Sequence, residues 1–284
     1  MMRFLLLPAF LLALLPSVFG QKKSLLYSIK GEGIETSYLF GTTHLIADSA
    51  FYFPSKLDKT LAKADELVLE INDVSDREKA MKMMNRESGS VFDIFTPEQT
   101  DSIVEWGSRS LNMSPEAFRK GFAGKKTFTL MQISVQTMIK GVVRSYEIEL
   151  MGKATANSQP IGGLETMEYQ LSLFENLPDS VMRDLILEGM RHPEKSIETS
   201  NLMTALYMNQ DVEGLTRLIT DSEEMAGSAE SLLYQRNRNW IPVMIRLMST
   251  KSCFFAVGAG HLGGDKGVIQ LLKNAGYTVT PISY

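Results

Sequence analysis

The sequence predicts an α/β (α+β) fold: a single mixed β-sheet built from strands near both chain ends, surrounded by helices, with a helical middle region. Three observations carry this expectation. Short apolar runs that stop at glycine occur near both ends, as in SYLFG at 37–41 and CFFAVG at 253–258. Between residues 76 and 248 apolar positions recur mostly at helical spacing. No low-complexity linker divides residues 21–284, so the distant strands are expected in one sheet and one domain.

The elements follow in order. SLLYSIKG (24–31) and TSYLFG (36–41) flank GEGIE, whose glycines suit a turn, so a β-hairpin is expected. An irregular aromatic loop, Phe51-Tyr52-Phe53-Pro54, precedes a helix in SKLDKTLAKADE, where Leu57, Leu61 and Ala64 share a face. LVLEI (67–71) reads as a strand. Residues 76–151 read as mainly helical: Thr96-Pro97 and Ser114-Pro115 have the grammar of a cap followed by proline at the first helical position. TLMQISVQTMIKGV (129–142) is an apolar helix. QPIGGLET (159–166) suggests a short strand and a glycine turn, and Met167, Leu171 and Phe174 start further helix that runs to Met248. RHPEKS (191–196) is expected as an exposed loop, with no role for His192. Gly276 ends the last helix and 277–282 form the last strand.

Composition limits the function classes. The 284 residues carry a net charge of −4, with 44% hydrophobic and 22% charged residues, which gives no nucleic-acid footprint. Arg3 followed by FLLLPAFLLALL (4–15), then Pro16 and Val18-Phe19-Gly20, is the pattern of a signal peptide. Residues 1–20 are therefore expected to be removed, leaving Gln21 first in an exported mature chain without a membrane span. The apolar run is short for a hydrocarbon core of about 30 Å, which argues against an uncleaved anchor. The lone cysteine, Cys253, excludes an intrachain disulfide and reads as a buried small hydrophobe.

Four polar residues occupy strand ends: His44 after LFG, Glu70 within LVLEI, Glu165 after PIGG, and His261 after AVG. Gly-x-x-His occurs twice, at 41–44 and 258–261, and each glycine removes side-chain bulk and lets the backbone turn. Side chains at strand ends converge at one sheet edge, and two imidazoles with one or two carboxylates suffice to ligate a divalent metal. Each residue also has a plain structural reading: a hydrogen-bonded strand-end histidine, a carboxylate facing water, a helix cap at Glu165. A carboxylate amid Val68, Leu69 and Ile71 is the hardest to explain that way, because an unpaired buried charge is costly. In YQRNRNW (234–240), Arg236 and Arg238 must point to different helix faces, and Asn237 and Asn239 suggest hydrogen-bonding duty.

YLFGTTHL, ADELVLEI, PIGGLETMEYQL, RNRNW and FFAVGAGHLGGDKGVIQLLKNAGYTV occur in the order that marks the TraB/GumN family, related to the Tiki-type proteases. The chain resembles that family over about residues 25–282. The resemblance implies a fold similar to erythromycin-esterase and ChaN-like proteins, with the active site at strand ends, and a metal-dependent peptidase acting on a peptide or protein substrate. It carries over to His44, Glu70, Glu165, Arg236 and His261. His44 and His261, with Glu165, are expected to hold a divalent ion (Mn, Co, Zn or Fe). Glu70 or Glu165 is expected to act as general base and Arg236 to steady the oxyanion. Many relatives have Gly-(Leu/Val/Met)-Asp where this chain reads RSYEIEL, so Glu147 stands in the place of an aspartate. Two non-catalytic alternatives remain: a haem or metal-complex binder using His44 or a nearby tyrosine, and a protein that holds a peptide without cutting it.

Overall fold

A computed structural model describes residues 23–71, 81–137, 139, 141–222 and 227–284. The expected signal peptide and the expected start of helix at 76–80 lie outside the described residues.

The chain opens with β1 (Leu26–Lys30) and β2 (Ser37–Thr42), an antiparallel hairpin whose turn uses Gly33 at φ 73°. A two-residue strand β3 (Ile46–Ala47) follows, then α1 (Ser55–Leu61) and β4 (Glu66–Ile71). The helical middle contains α2 (Pro97–Ser110), α3 (Pro115–Phe122) and α4 (Thr127–Thr137). Thr96 and Ser114 cap α2 and α3, each with proline at the first turn, as their sequence grammar predicts. A short strand that the helical reading missed, β5 (Val143–Arg144), pairs with β3. Then come α5 (Tyr146–Ala156), β6 (Ile161–Glu165), α6 (Met167–Glu175), α7 (Asp179–Arg191), α8 (Pro193–Met208) and α9 (Val212–Thr220). RHPEKS is not a loop. His192 is a one-residue corner, and Pro193 opens α8 where its missing N–H costs nothing. A π-helical turn, Glu230–Tyr234, leads into α10 (Gln235–Met248). Last come β7 (Cys253–Gly258), a 3₁₀ turn Ala259–His261, α11 (Val268–Asn274) and β8 (Thr278–Pro281).

The main sheet is mixed, in the order β6-β4-β7-β2-β1-β8. The four strands β6, β4, β7 and β2 are parallel, and β1 runs against both β2 and β8. The late strand β7 thus lies between two early ones, β2 and β4. Parallel strands covered on both faces read as continuous apolar runs rather than alternation. That accounts for Leu67-Val68-Leu69 and Phe254-Phe255-Ala256-Val257, all of which are buried, as is Cys253. The carboxyl ends of the four parallel strands fall on one edge: Thr42, Glu70, Glu165 and Gly258 all sit there. A second apolar cluster, around Ile103, Phe118, Leu130 and Ile186, holds α2, α3, α4 and α7 together away from the sheet.

Candidate functional site

Arg236 is the hub of the strand-end cluster. It lies two residues past the π-helical segment, and every N–H of its guanidinium has an acceptor. Nε donates to Glu165 (3.0 Å), Nη1 to Leu232 O and His261 Nε2 (both 3.1 Å), and Nη2 to Glu165 Oε1 (2.6 Å) and Glu70 Oε2. Its plane also lies 4.8 Å from the Trp240 ring. Arg236, Glu70 and His261 are all buried, and that burial is tolerable only because the charges are paired and hydrogen-bonded. Burial raises the Glu70 carboxyl, but the charge of His261, present only in strong acid where that ring is protonated, those of Arg236 and His44, and the Gly258 N–H at 2.8 Å overcome it and hold it at about 2. Glu70 does not face water at a strand edge.

The two carboxylates differ in what surrounds them. Both Glu165 oxygens are engaged by N–H donors: Arg236, Gln170 Nε2 (3.1 Å) and Trp240 Nε1 (2.8 Å). The cap of α6 is Thr166, not Glu165. Glu70 Oε1 faces instead toward the histidines, 3.9 Å from His261 Nε2.

The two histidines are held alike at one nitrogen. His261 Nδ1 donates to Asn237 Oδ1 at 2.6 Å, because the Asn237 amide group is occupied with His261 O and Lys266 O. That fixes the tautomer: Nε2 carries a lone pair, which accepts from Arg236. Burial, together with the Arg236 charge, lowers the His261 pKa to about 3, so the ring is neutral. His44 Nδ1 pairs with Glu147 Oε1 at 2.8 Å, and Glu147 accepts in addition from Thr42 Oγ1 and Ser145 Oγ. The surrounding protein works to lower the His44 pKa. Its side chain is nonetheless 67% exposed, and the hydrogen bond and charge of Glu147, with the charge of Glu70, prevail and raise it to about 9.

Gly258 explains why the site needs glycine. A Cβ there would stand 3.3 Å from Glu70 Oε1, 3.6 Å from His261 Cδ2 and 3.7 Å from His44 Nε2. The three groups therefore surround one small open space. Gly258 has φ −52° and ψ 132°, which any residue adopts, and Gly41 also lacks a positive φ. The turning role expected for these glycines is not used; the space is. A Cβ at Gly41 would meet Leu262 Cδ1 at 2.6 Å, so that glycine lets the His261 turn pack onto β2.

His44, Glu70 and His261 thus lie around Gly258, with Arg236 behind them and Glu165 behind Arg236. Arg238 points outward to Glu230 and Gln235, and His192 is exposed. Sequence reasoning missed Gln170, which bridges Glu70 and Glu165, and Trp240, which binds Glu165. One signal for Gln170 was available: it lies three residues after Met167 and one before Leu171, a polar residue on the buried face of α6.

Among the described residues no group of three His, Cys, Asp or Glu side chains is placed so that it could hold a metal ion. The donor types suit one: an ionised carboxylate oxygen, a neutral imidazole whose Nε2 lone pair now accepts from Arg236, and the exposed His44 imidazole, which must first give up the proton that Glu147 helps it keep.

The uncharacterized protein YbaP of Shigella flexneri is 24% identical over 243 residues, 85% of this chain and 89% of that protein. Its namesake in Escherichia coli K12 is 23% identical over 83% of this chain and 87% of that protein. The metalloprotease TIKI2 of Danio rerio is 25% identical over 166 residues, half of this chain and 32% of that protein. No solved structure gives a significant match. The model of the TraB/PrgY/gumN family matches residues 25–281, which include every strand-end residue of the site, and the chain belongs to that family.

Proposed function

We propose that this protein is an exported metal-dependent hydrolase that cleaves peptide bonds at the Gly258 edge of the sheet. One observation carries the reading: His44 Nε2, Glu70 Oε1 and the His261 ring surround a single space that a methyl group would fill, while Glu147 and Asn237 hold the far nitrogens of both imidazoles. The distant likeness to metalloproteases supports peptide as the substrate class.

In this reading His44, His261 and Glu70 would hold the ion, which would supply Lewis-acid polarisation and a nucleophile from water near neutral pH. Glu70 takes the ligand place expected for Glu165, because its Oε1 faces the histidines. Glu165 anchors Arg236 instead. The Nη1–H of Arg236, which donates to His261 Nε2 at 3.1 Å, would be free as a donor for negative charge on the scissile carbonyl if that lone pair were used elsewhere.

The test is calorimetric titration of the protein with Mn, Co and Zn beside mass spectrometry of an incubated peptide library. The expected result is binding of one ion and discrete cleavage products, both lost in His44→Ala and His261→Ala. Glu70→Gln loses the ion if Glu70 is a ligand, and keeps it with turnover lost if Glu70 is the proton acceptor. Metal binding unchanged in both histidine variants, or a Soret band on haem titration that depends on His44, would overturn the reading. Among the described residues no helix is long and apolar enough to cross a membrane. Export is tested by intact mass, which should give a chain starting at Gln21.

A further inference from the structure

The two carboxylates behind the Gly258 space are joined by a closed ring of four hydrogen bonds. Arg236 Nη2 has two N–H groups, one on Glu165 Oε1 (2.6 Å) and one on Glu70 Oε2. Gln170 Nε2 has two more, and they reach the same two oxygens, each at 3.1 Å. One side of the ring is a charged donor and the other a neutral one. Both oxygens are acceptors, so the NH₂ of Gln170 must face them and its carbonyl must face away.

Local structure puts Gln170 there. Thr166 caps α6 directly after β6, its hydroxyl accepting from Tyr169 N at 3.1 Å. Met167 and Leu171 are buried, and Gln170 shares their side of the helix. A helical side chain leans toward the helix N-terminus, and here that direction leads back to Glu165 at the end of β6.

Lone pairs decide what the ring does. A carboxylate oxygen accepts about two hydrogen bonds. Both Glu165 oxygens are filled, Oε1 by Arg236 and Gln170, Oε2 by Trp240 Nε1 and Arg236 Nε. Glu70 Oε2 is filled by Arg236 and Gln170. Among the described residues Glu70 Oε1 has one N–H donor, that of Gly258 at 2.8 Å, and it faces His261 Nε2 at 3.9 Å. Without Gln170, Oε2 would regain an open position, and Glu70 would offer two oxygens instead of one. Arg236 has no N–H to spare for it, since Nε serves Glu165 and Nη1 serves Leu232 O and His261.

From this we infer that Gln170 is a positioning residue: it saturates Glu70 Oε2 and leaves Oε1 as the one Glu70 oxygen open toward the Gly258 space. The inference rests on the hydrolase reading and deepens it. Glu70 works through a single oxygen, selected by an amide on α6 that acts through the carboxylate and not on the substrate.

The experiment is calorimetric titration of the full mature chain with Zn, for wild type, Gln170→Met and Gln170→Glu, beside steady-state cleavage of a peptide that wild type cuts. Methionine keeps the length and removes both N–H groups; glutamate adds a third carboxylate. Zn affinity should fall about 10–100-fold in Gln170→Met and further in Gln170→Glu, with kcat reduced and KM unchanged. Circular dichroism checks folding, and Gln170→Asn, too short to bridge both oxygens, replaces a variant that fails to fold. Zn affinity equal to wild type in Gln170→Met, or a raised KM with kcat unchanged, overturns the inference. A metal-free double-mutant cycle separates it from the hydrolase reading. On urea denaturation Gln170→Met should cost less in a Glu70→Gln background than in wild type, because the bond to a charged oxygen is the stronger one. Strictly additive losses overturn the inference even in a protein that cleaves peptides. Neither Zn binding nor cleavage by wild type overturns the hydrolase reading, and a non-additive cycle then still upholds the role of Gln170 on Glu70.

Discussion

The edge of the sheet and the helical cluster of α2, α3, α4 and α7 are both tightly packed, but they bury different chemistry. The helical cluster is apolar, and its buried polar side chains are hydroxyls such as Thr100, Ser108 and Ser134. The sheet edge buries Glu70, Arg236, Asn237 and His261 within one connected set of hydrogen bonds. Apolar packing stabilises wherever it occurs. A buried ionic network is weak evidence for stability, since apolar residues of the same shape often do as well. Its presence in one region and not the other points to chemistry there. Variants in the two regions should therefore fail differently.

The largest effect belongs to a small change. Gly258→Ala has an allowed backbone, and its methyl group meets only the end of the Glu70 side chain tightly, at 3.3 Å, which a shift of a few tenths of an ångström relieves, so the fold should persist. The methyl fills the space shared by His44, Glu70 and His261, and turnover should fall by a factor of about 10² or more. Near-wild-type activity would show that this space is not the reaction centre. Arg236→Ala comes next. It leaves Glu70 and Glu165 buried without their cation, so urea denaturation should show a loss of about 3–5 kcal/mol. In the helical cluster, Gly107→Ala places a Cβ 2.2 Å from the ring of Phe118. That should cost about 1–3 kcal/mol, with metal affinity and turnover per folded molecule unchanged. A parallel loss of activity would mean that the two regions are coupled.

Acid should act on the sheet edge first. Glu70 has its pKa lowered from 4.5 to about 2, so its contribution to stability is present above pH 4.5 and lost as pH falls through 2. His261 is lowered from 6.5 to about 3. The unfolded chain therefore binds a proton there that the folded chain does not, and stability falls between pH 6.5 and 3. His44 has the opposite sign: its raised pKa stabilises below pH 6.5, and that contribution fades as pH rises through 9. Denaturation across pH 3–9 should show wild type losing stability below 6.5, and His261→Gln should flatten the limb between 6.5 and 3.

The parallel strands were legible because burial on both faces demands unbroken apolar runs, and LVLEI and CFFAV supply them. The strand-end residues were legible for a related reason: a histidine or carboxylate at the end of such a run has no apolar explanation. Their partners were not. His44 with Glu147, His261 with Asn237, and Glu70 with Gln170 depend on β7 lying between β2 and β4, and on which helix turn faces the edge. Residues 24 to 103 positions apart meet only through that topology. The helix predicted through residue 142 also hid β5, because Val142 and Val143 fit an apolar helix as well as a strand, and only pairing with β3 decides.

The smallest expected effect tests the comparison at closest range. Arg236 and Arg238 are two residues apart on α10, which turns them to different sides. Arg236 is buried with all its N–H groups used, whereas Arg238 is 42% exposed and pairs with the exposed Glu230. A solvent-exposed pair gains little over hydration and loses side-chain freedom. Arg238→Ala should therefore leave the denaturation midpoint, metal affinity and turnover within error of wild type. Arg236→Lys keeps the charge but cannot reach Glu70, Glu165, His261 and Leu232 O at once, because an ammonium has three N–H groups and no planar fork. It should recover part of the stability lost in Arg236→Ala and little of the turnover. If Arg236→Lys restores turnover fully, the positive charge alone matters there, and the guanidinium geometry that ties the two carboxylates to His261 has no part in the chemistry.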